Sequence, residues 1–100
     1  MAKIDVLHCP AIPMPIPTIA ETDLEGTGEA VLALVGRITE FTRPFNFLGI
    51  PAISVPCGFT RNGLPQAMQL VGRPFREHLL FRVGAAYEAA ADRRGERPPL

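Results

Sequence analysis

Between Pro10 and Pro17 every second or third residue is a proline: Pro10, Pro13, Pro15 and Pro17. Each ring fixes φ at about −65° and deletes a backbone donor, so the stretch is neither helix nor interior strand and runs extended, close to a polyproline coil. With Thr18 to Gly28 it makes a proline-rich loop over residues 10–28, longer than a compact domain carries without a task or a covering neighbour. The expectation is that something packs on it.

On either side of this loop the patterning alternates between strand and helix. Ile4 to Cys9 is a short apolar run broken only by Asp5 and His8, which reads as a buried strand closed by Pro10. From Gly28 the residues Val31, Leu32, Leu34, Val35, Ile38 and Phe41 recur at helical spacing, and that helix is expected to end before Pro44. Ala52 to Val55, bracketed by Gly49, Pro51, Pro56 and Gly58, reads as a short strand. Gln66 to Val71 reads as another, and Asn62-Gly63 between them predicts a hairpin with a longer loop. Gly72 and Pro74 stop it. Glu77 to Arg93 is the strongest helix, with Leu79, Leu80, Val83, Ala86, Tyr87 and Ala90 on one broad face, and residues 94–100 read as a frayed tail. The expectation is a single α/β unit over residues 1–100, with about three short strands and two helices.

Composition narrows the function. Net charge is zero, with 47% hydrophobic and 20% charged residues, which suits one folded unit. Residues 1–40 hold six acids against two bases and residues 41–100 four against eight, so two complementary solvated surfaces are expected. The arginines are scattered and no aromatic residues interleave with them, which argues against nucleic acid. No apolar run is long enough for a membrane helix and no secretory signature opens the sequence, so the expected location is cytoplasmic, with no membrane partner. Cys9 and Cys57 stand far apart with no CxxC spacing, which removes the usual zinc and redox patterns. No cofactor and no metal site are expected.

The chemistry-bearing side chains have plain structural readings. His8 lies inside the first strand as a core or edge residue, and His78 opens a helix at the surface. Cys57, between Pro56 and Gly58, reads as a small buried hydrophobe rather than a nucleophile, since no base is identifiable beside it. Ser54 lacks the G-x-S-x-G context of a nucleophile elbow and reads as a packing residue.

The run from Phe41 to Phe59, with Pro44-Phe45-Asn46 and Gly49-Ile50-Pro51-Ala52, then Gly63-Leu64-Pro65, Gln69-Leu70-Val71-Gly72-Arg73-Pro74-Phe75 and the helix with Glu77, Leu79, Leu80 and Tyr87-Glu88, strongly resembles the C-terminal part of amidase signature enzymes. Asp5-Val6-Leu7 with Pro10 and Pro13 resembles that family's preceding strand and proline-rich loop. The resemblance covers residues 4 to 90. It implies an α/β fold with a large mixed sheet flanked by helices, and hydrolysis of a carboxylic amide to acid and ammonia or amine. It also implies a nucleophilic serine, a second serine in a cis peptide and a lysine, with backbone donors from a Gly-Ser-rich segment stabilising the oxyanion. None of these lies in the region this chain resembles, and one serine, Ser54, with one lysine, Lys3, cannot supply the trio.

Where the family's glutamine-handling amidotransferase subunits carry an aspartate, five residues before the proline of the Pro-x-Asn motif, this sequence has Thr39. A hydroxyl cannot replace that carboxylate's charge-assisted hold on a substrate amino group. The resemblance therefore implies a general amidase, with Thr39 as a substrate-pocket residue of an intact enzyme, at the end of a helix beside the acyl side. Arg76 stands where the family often has a capping residue, so the final helix is expected to start weakly. The expected chain is a C-terminal fragment, inactive alone. The alternatives are a non-catalytic chain of a split amidase or amidotransferase, and an independent assembly or binding module. The expected partners are a second copy, most simply in a dimer, or a catalytic amidase chain.

Overall fold

The computed structural model describes residues 3–23, 28–92 and 95–97. Three strands, β1 (Leu7–Pro10), β2 (Ala52–Phe59) and β3 (Pro65–Val71), form one antiparallel sheet in the order β1-β3-β2. The helices are α1 (Glu29–Ile38), α2 (Arg43–Leu48) and α3 (Glu77–Ala91), and a 3-10 turn occupies Ala20–Thr22. The α/β class stands, with three helices where two are expected.

The hairpin follows the sequence pattern. Ile53 faces Leu70 and Val55 faces Met68, so one face of the sheet is apolar. Thr60 N–H donates to the Leu64 carbonyl at 2.8 Å, and Gly63 takes a left-handed φ of 79° that a side chain would resist. β2 runs four residues beyond Val55, through Pro56. It can do so because it is an edge strand: the missing donor of Pro56 lies on the side away from β3. A bulge between Pro56 and Gly58 then shifts the register.

α3 covers the apolar face. Leu80 and Gly84 are buried and Val83 and Tyr87 half-buried, a stripe at i, i+3, i+4 and i+7, narrower than the sequence suggests because Ala86 and Ala90 are exposed. Leu80 sits against Val55 and Leu70 with Ile53, Met68, Val83 and Tyr87 around them. Helix and sheet are so close that a Cβ on Gly72 would meet Leu80 at 3.2 Å. As expected, α3 starts without a side-chain cap at Arg76, and the preceding Phe75 has φ 63°. Arg93, Arg94 and Pro98 to Leu100, from the expected helix end and frayed tail, lie outside the described residues, as do residues 24–27 of the loop.

Two expectations are corrected. The first helix ends at Ile38, before Pro44 as expected but short of Phe41, and Pro44 lies in the first turn of α2, a helix the sequence reading did not expect, where a fixed φ and a missing donor cost nothing. Gly49, with φ 67°, closes α2. The first strand is shorter than Ile4 to Cys9 and is not buried: Leu7 and His8 are exposed and Cys9 half-buried. α3 packs on β2 and β3, so the β1 side of the sheet lacks that helical cover.

Most of the remaining apolar surface is open. α1 has no buried residue, and its helical neighbour is the 3-10 turn. In that turn region the backbone N–H and hydroxyl of Thr18 donate to the Glu21 carboxylate while Glu21 N–H donates to Thr18 Oγ1, a reciprocal capping pair. Those donors hold the Glu21 carboxyl below its ordinary pKa. Ile19, Phe47 and Phe75 are each about nine-tenths exposed, at 91%, 92% and 89%. The radius of gyration is 15.6 Å, against about 13 Å for a compact 100-residue domain, and the molecule is a slab 18 Å thick.

Candidate functional site

The sheet face opposite α3 carries Ala52, Ser54 and Gln69, because these alternate with the core-facing Ile53, Val55, Met68 and Leu70. Gln69 is the buried polar side chain of the described structure, 4% exposed. Its Nε2 donates to the Phe41 carbonyl at 2.6 Å, which ties the turn between α1 and α2 to the central strand. Behind that tie the turn is self-braced. Thr42 Oγ1 donates to the Thr39 carbonyl at 3.2 Å, Arg43 N–H donates to the same carbonyl at 2.9 Å, and Arg43 Nη2 donates to the Gly36 carbonyl at 3.0 Å.

Between this turn, α2 and the sheet lies a cleft of about 240 Å³ lined by Thr42, Phe45, Asn46, Ser54 and Gln69 among others. It combines an aromatic wall with hydroxyl and amide groups, a set that can orient a small polar group such as an amide by hydrogen bonds. Among the described residues, no lysine, histidine or carboxylate lines it. The groups present can bind and orient a small polar group.

A second cleft, of about 640 Å³ and mainly apolar, lies where the proline-rich segment folds over the far end of the sheet, with Ile12, Met14, Ile16 and Met68 in its lining. The loop and the sheet end of its own chain thus wall the same cleft. His8, Cys9 and Cys57 also line this cleft. Cys9 is on β1 and Cys57 on β2, with β3 between, so they are separated by two strand spacings, about 9.6 Å. That exceeds the roughly 7 Å a disulfide spans, and both thiols are free. Among the described residues no group of three or more His, Cys, Asp or Glu side chains is gathered where a metal ion could be held. None of the described helices is long and apolar enough to cross a membrane.

The residues singled out from sequence are scattered. Thr39 caps the C-terminus of α1, half-buried, and its hydroxyl donates back to the Val35 carbonyl at 2.9 Å. It stands one turn behind Thr42 and outside the lining of both clefts. His8 is an exposed edge residue, His78 is exposed in the first turn of α3, Cys57 is half-buried at the bulge, and Ser54 is exposed and lines the smaller cleft rather than packing in the core. Gln69 escapes a sequence reading because it sits in an apolar strand as one alternating polar residue, the pattern of a solvent-facing position.

Residues 1–81 match the family model described as amidase. The chain is 40% identical over 96 residues to the fatty acid amide hydrolase of Medicago truncatula, covering 96% of the chain and 16% of that relative. It is 42% identical over 98 residues to a glutamyl-tRNA(Gln) amidotransferase subunit from Gloeothece citriformis, covering 98% of the chain and 19% of the relative. A third match, to the corresponding amidotransferase subunit from Brevibacillus brevis, is 54% identical over 57 residues. The chain spans less than a fifth of the length of these relatives. Two kinds of amide-processing relative match it at similar identity, so these comparisons do not separate the two branches.

Proposed function

The chain belongs to the amidase family, and we propose that it is a C-terminal portion of a general carboxylic-amide hydrolase, non-catalytic on its own. In this reading the nucleophilic serine, the bridging serine and the lysine stand on another part of the enzyme or on a separate catalytic chain. The observation that carries it is a mismatch of extent. The likeness runs over 96% of the chain yet 16% of the relative, and within the chain stand a single serine and a single lysine, Ser54 and Lys3. The slab shape and the exposed Ile19, Phe47 and Phe75 support it, since a core of four residues among those described leaves apolar faces for further polypeptide to cover.

The chemistry assigned to the whole enzyme is acyl transfer. A neutral lysine takes a proton through the bridging serine, the nucleophile attacks the amide carbon, the amine leaves with that proton, and water releases the acid. This portion contributes binding. Asn46, Thr42 and Ser54 present hydrogen-bonding groups beside the Phe45 ring, and Gln69 holds their supporting turn in place. The choice of a general amidase rests on Thr39, whose hydroxyl is engaged with Val35 and carries no charge for a substrate amino group.

Two measurements test the reading. The purified chain alone is expected to release no ammonia from a panel of simple amides, and co-expression with a catalytic portion of an amidase is expected to give a complex that does. Ammonia release by the chain alone that survives Ser54→Ala and Cys57→Ala would sink the proposal, whereas loss on Cys57→Ala would reveal a thiol nucleophile. In the assembled enzyme, Thr39→Ala is expected to change kcat/KM ratios between short and bulky acyl groups more than the turnover of the smallest amide. Unchanged ratios would leave Thr39, which lines neither cleft, without a part in substrate choice.

A further inference from the structure

The hydrogen-bond register shows which edge of the sheet is open. Gly72 N–H donates to the Pro51 carbonyl at 3.0 Å, so position 51 faces β3 and, by antiparallel alternation, so do Ile53 and Val55. Ala52 and Ser54 then point their N–H and C=O groups away from β3, at the sheet edge, with no partner among the described residues. On the opposite edge Ala11 N–H donates to the Ala67 carbonyl at 3.1 Å, so Leu7 and Cys9 face β3 and the outward positions of β1 are His8 and Pro10. Pro10 has no donor, and the proline-rich segment continues from it.

We propose that the isolated chain forms a closed two-fold dimer by antiparallel pairing of β2 with β2 of a second copy, centred on Ile53. The register is self-complementary. With Ile53 opposite its counterpart, Ala52 of each copy faces Ser54 of the other, and their N–H and C=O groups exchange four hydrogen bonds. The same operation on β1, centred on Cys9, would set His8 opposite Pro10 and yield two, because Pro10 cannot donate. One open edge and one edge closed by proline give a dimer with a six-stranded sheet rather than an open-ended ladder. Zero net charge sets no barrier between copies. This inference stands on edge geometry alone and is independent of the catalytic reading.

The test is light scattering on the full chain at about 100 μM, with amide hydrogen exchange at 5 and 100 μM. The expected result is a dimer of twice 10.9 kDa, with protection of the Ala52 and Ser54 amides at least tenfold greater at the higher concentration. Ser54→Pro deletes an outward N–H and no bond to β3, so it is expected to fold as a monomer, while His8→Pro at the other edge remains dimeric. Ala52→Lys, which leaves the backbone intact, is a second monomer-forming change should the proline variant lose its circular dichroism. A monomeric wild type, unchanged exchange at Ala52 and Ser54, a larger open-ended assembly, or dimer loss on His8→Pro but not on Ser54→Pro would each overturn the proposal.

Discussion

Leu80→Ala is expected to abolish cooperative folding of the isolated chain. Leu80 is 2% exposed and is the one side chain of α3 that joins Val55 and Leu70 in the buried cluster, so it is the main link between helix and sheet. Truncating a buried leucine removes its transfer free energy and leaves a cavity, at a cost of about 3 kcal/mol. A small domain has on the order of 5 kcal/mol in total, and a chain with four buried hydrophobic residues among those described belongs at the low end. Far-ultraviolet circular dichroism against temperature, with Tyr87 fluorescence as a second probe because Tyr87 packs on the same cluster, is expected to show a broad, non-cooperative transition. An unshifted sharp transition would mean that the sheet and α3 do not depend on this contact. Leu32→Ala on α1 is the control. Leu32 is largely exposed, and its loss is expected to cost no more than about 0.5 kcal/mol, a midpoint shift of roughly 2–4 °C at most.

Local patterning reports different things at different places in this chain. The hairpin was legible because Asn62-Gly63 marks a reversal and the flanking residues alternate, both of which are properties of the hairpin itself. α3 was legible because fifteen residues are enough for a stripe to repeat. α2 was not, since six residues make fewer than two turns and Pro44, which starts it, reads equally well as a stop. β1 misled for another reason. Its apolar run speaks of burial on both faces, but β1 lies at the edge of the sheet, and α3 packs on β2 and β3 instead. The cleft was not legible in the same way. Asn46 and Gln69 both stand in motifs that carry the resemblance, but neither was read as a site residue, because seeing them together required knowing that the face opposite α3 is covered by the turn at Phe41.

That buried amide leads to the second large effect, which depends on pH. In Gln69→Leu the Phe41 carbonyl loses its donor, and the expected cost is about 2 kcal/mol, roughly 10 °C in midpoint for a domain of this size. The amides of residues 39–46 are expected to exchange faster than those of β2 and β3, because the lost bond anchors that turn alone. Gln69→Glu separates the donor from the shape. At neutral pH a carboxylate at this place would face a carbonyl oxygen with no proton between them, while the protonated acid donates as the amide did. Burial and that preference for the neutral form both raise the folded-state pKa above the unfolded value of about 4.3. The stability of this variant is therefore fully present below about 4.3 and is lost as pH rises through the raised folded pKa. Measured as a difference from wild type at each pH, which removes the contribution of Glu21, the midpoint of Gln69→Glu is expected to match wild type near pH 4 and to fall at least as far as Gln69→Leu by pH 7. The Gln69→Leu difference stays constant. If both variants melt with wild type at every pH, the bond to Phe41 contributes nothing, and the turn that walls the smaller cleft is held by the Thr39, Thr42 and Arg43 bracing alone.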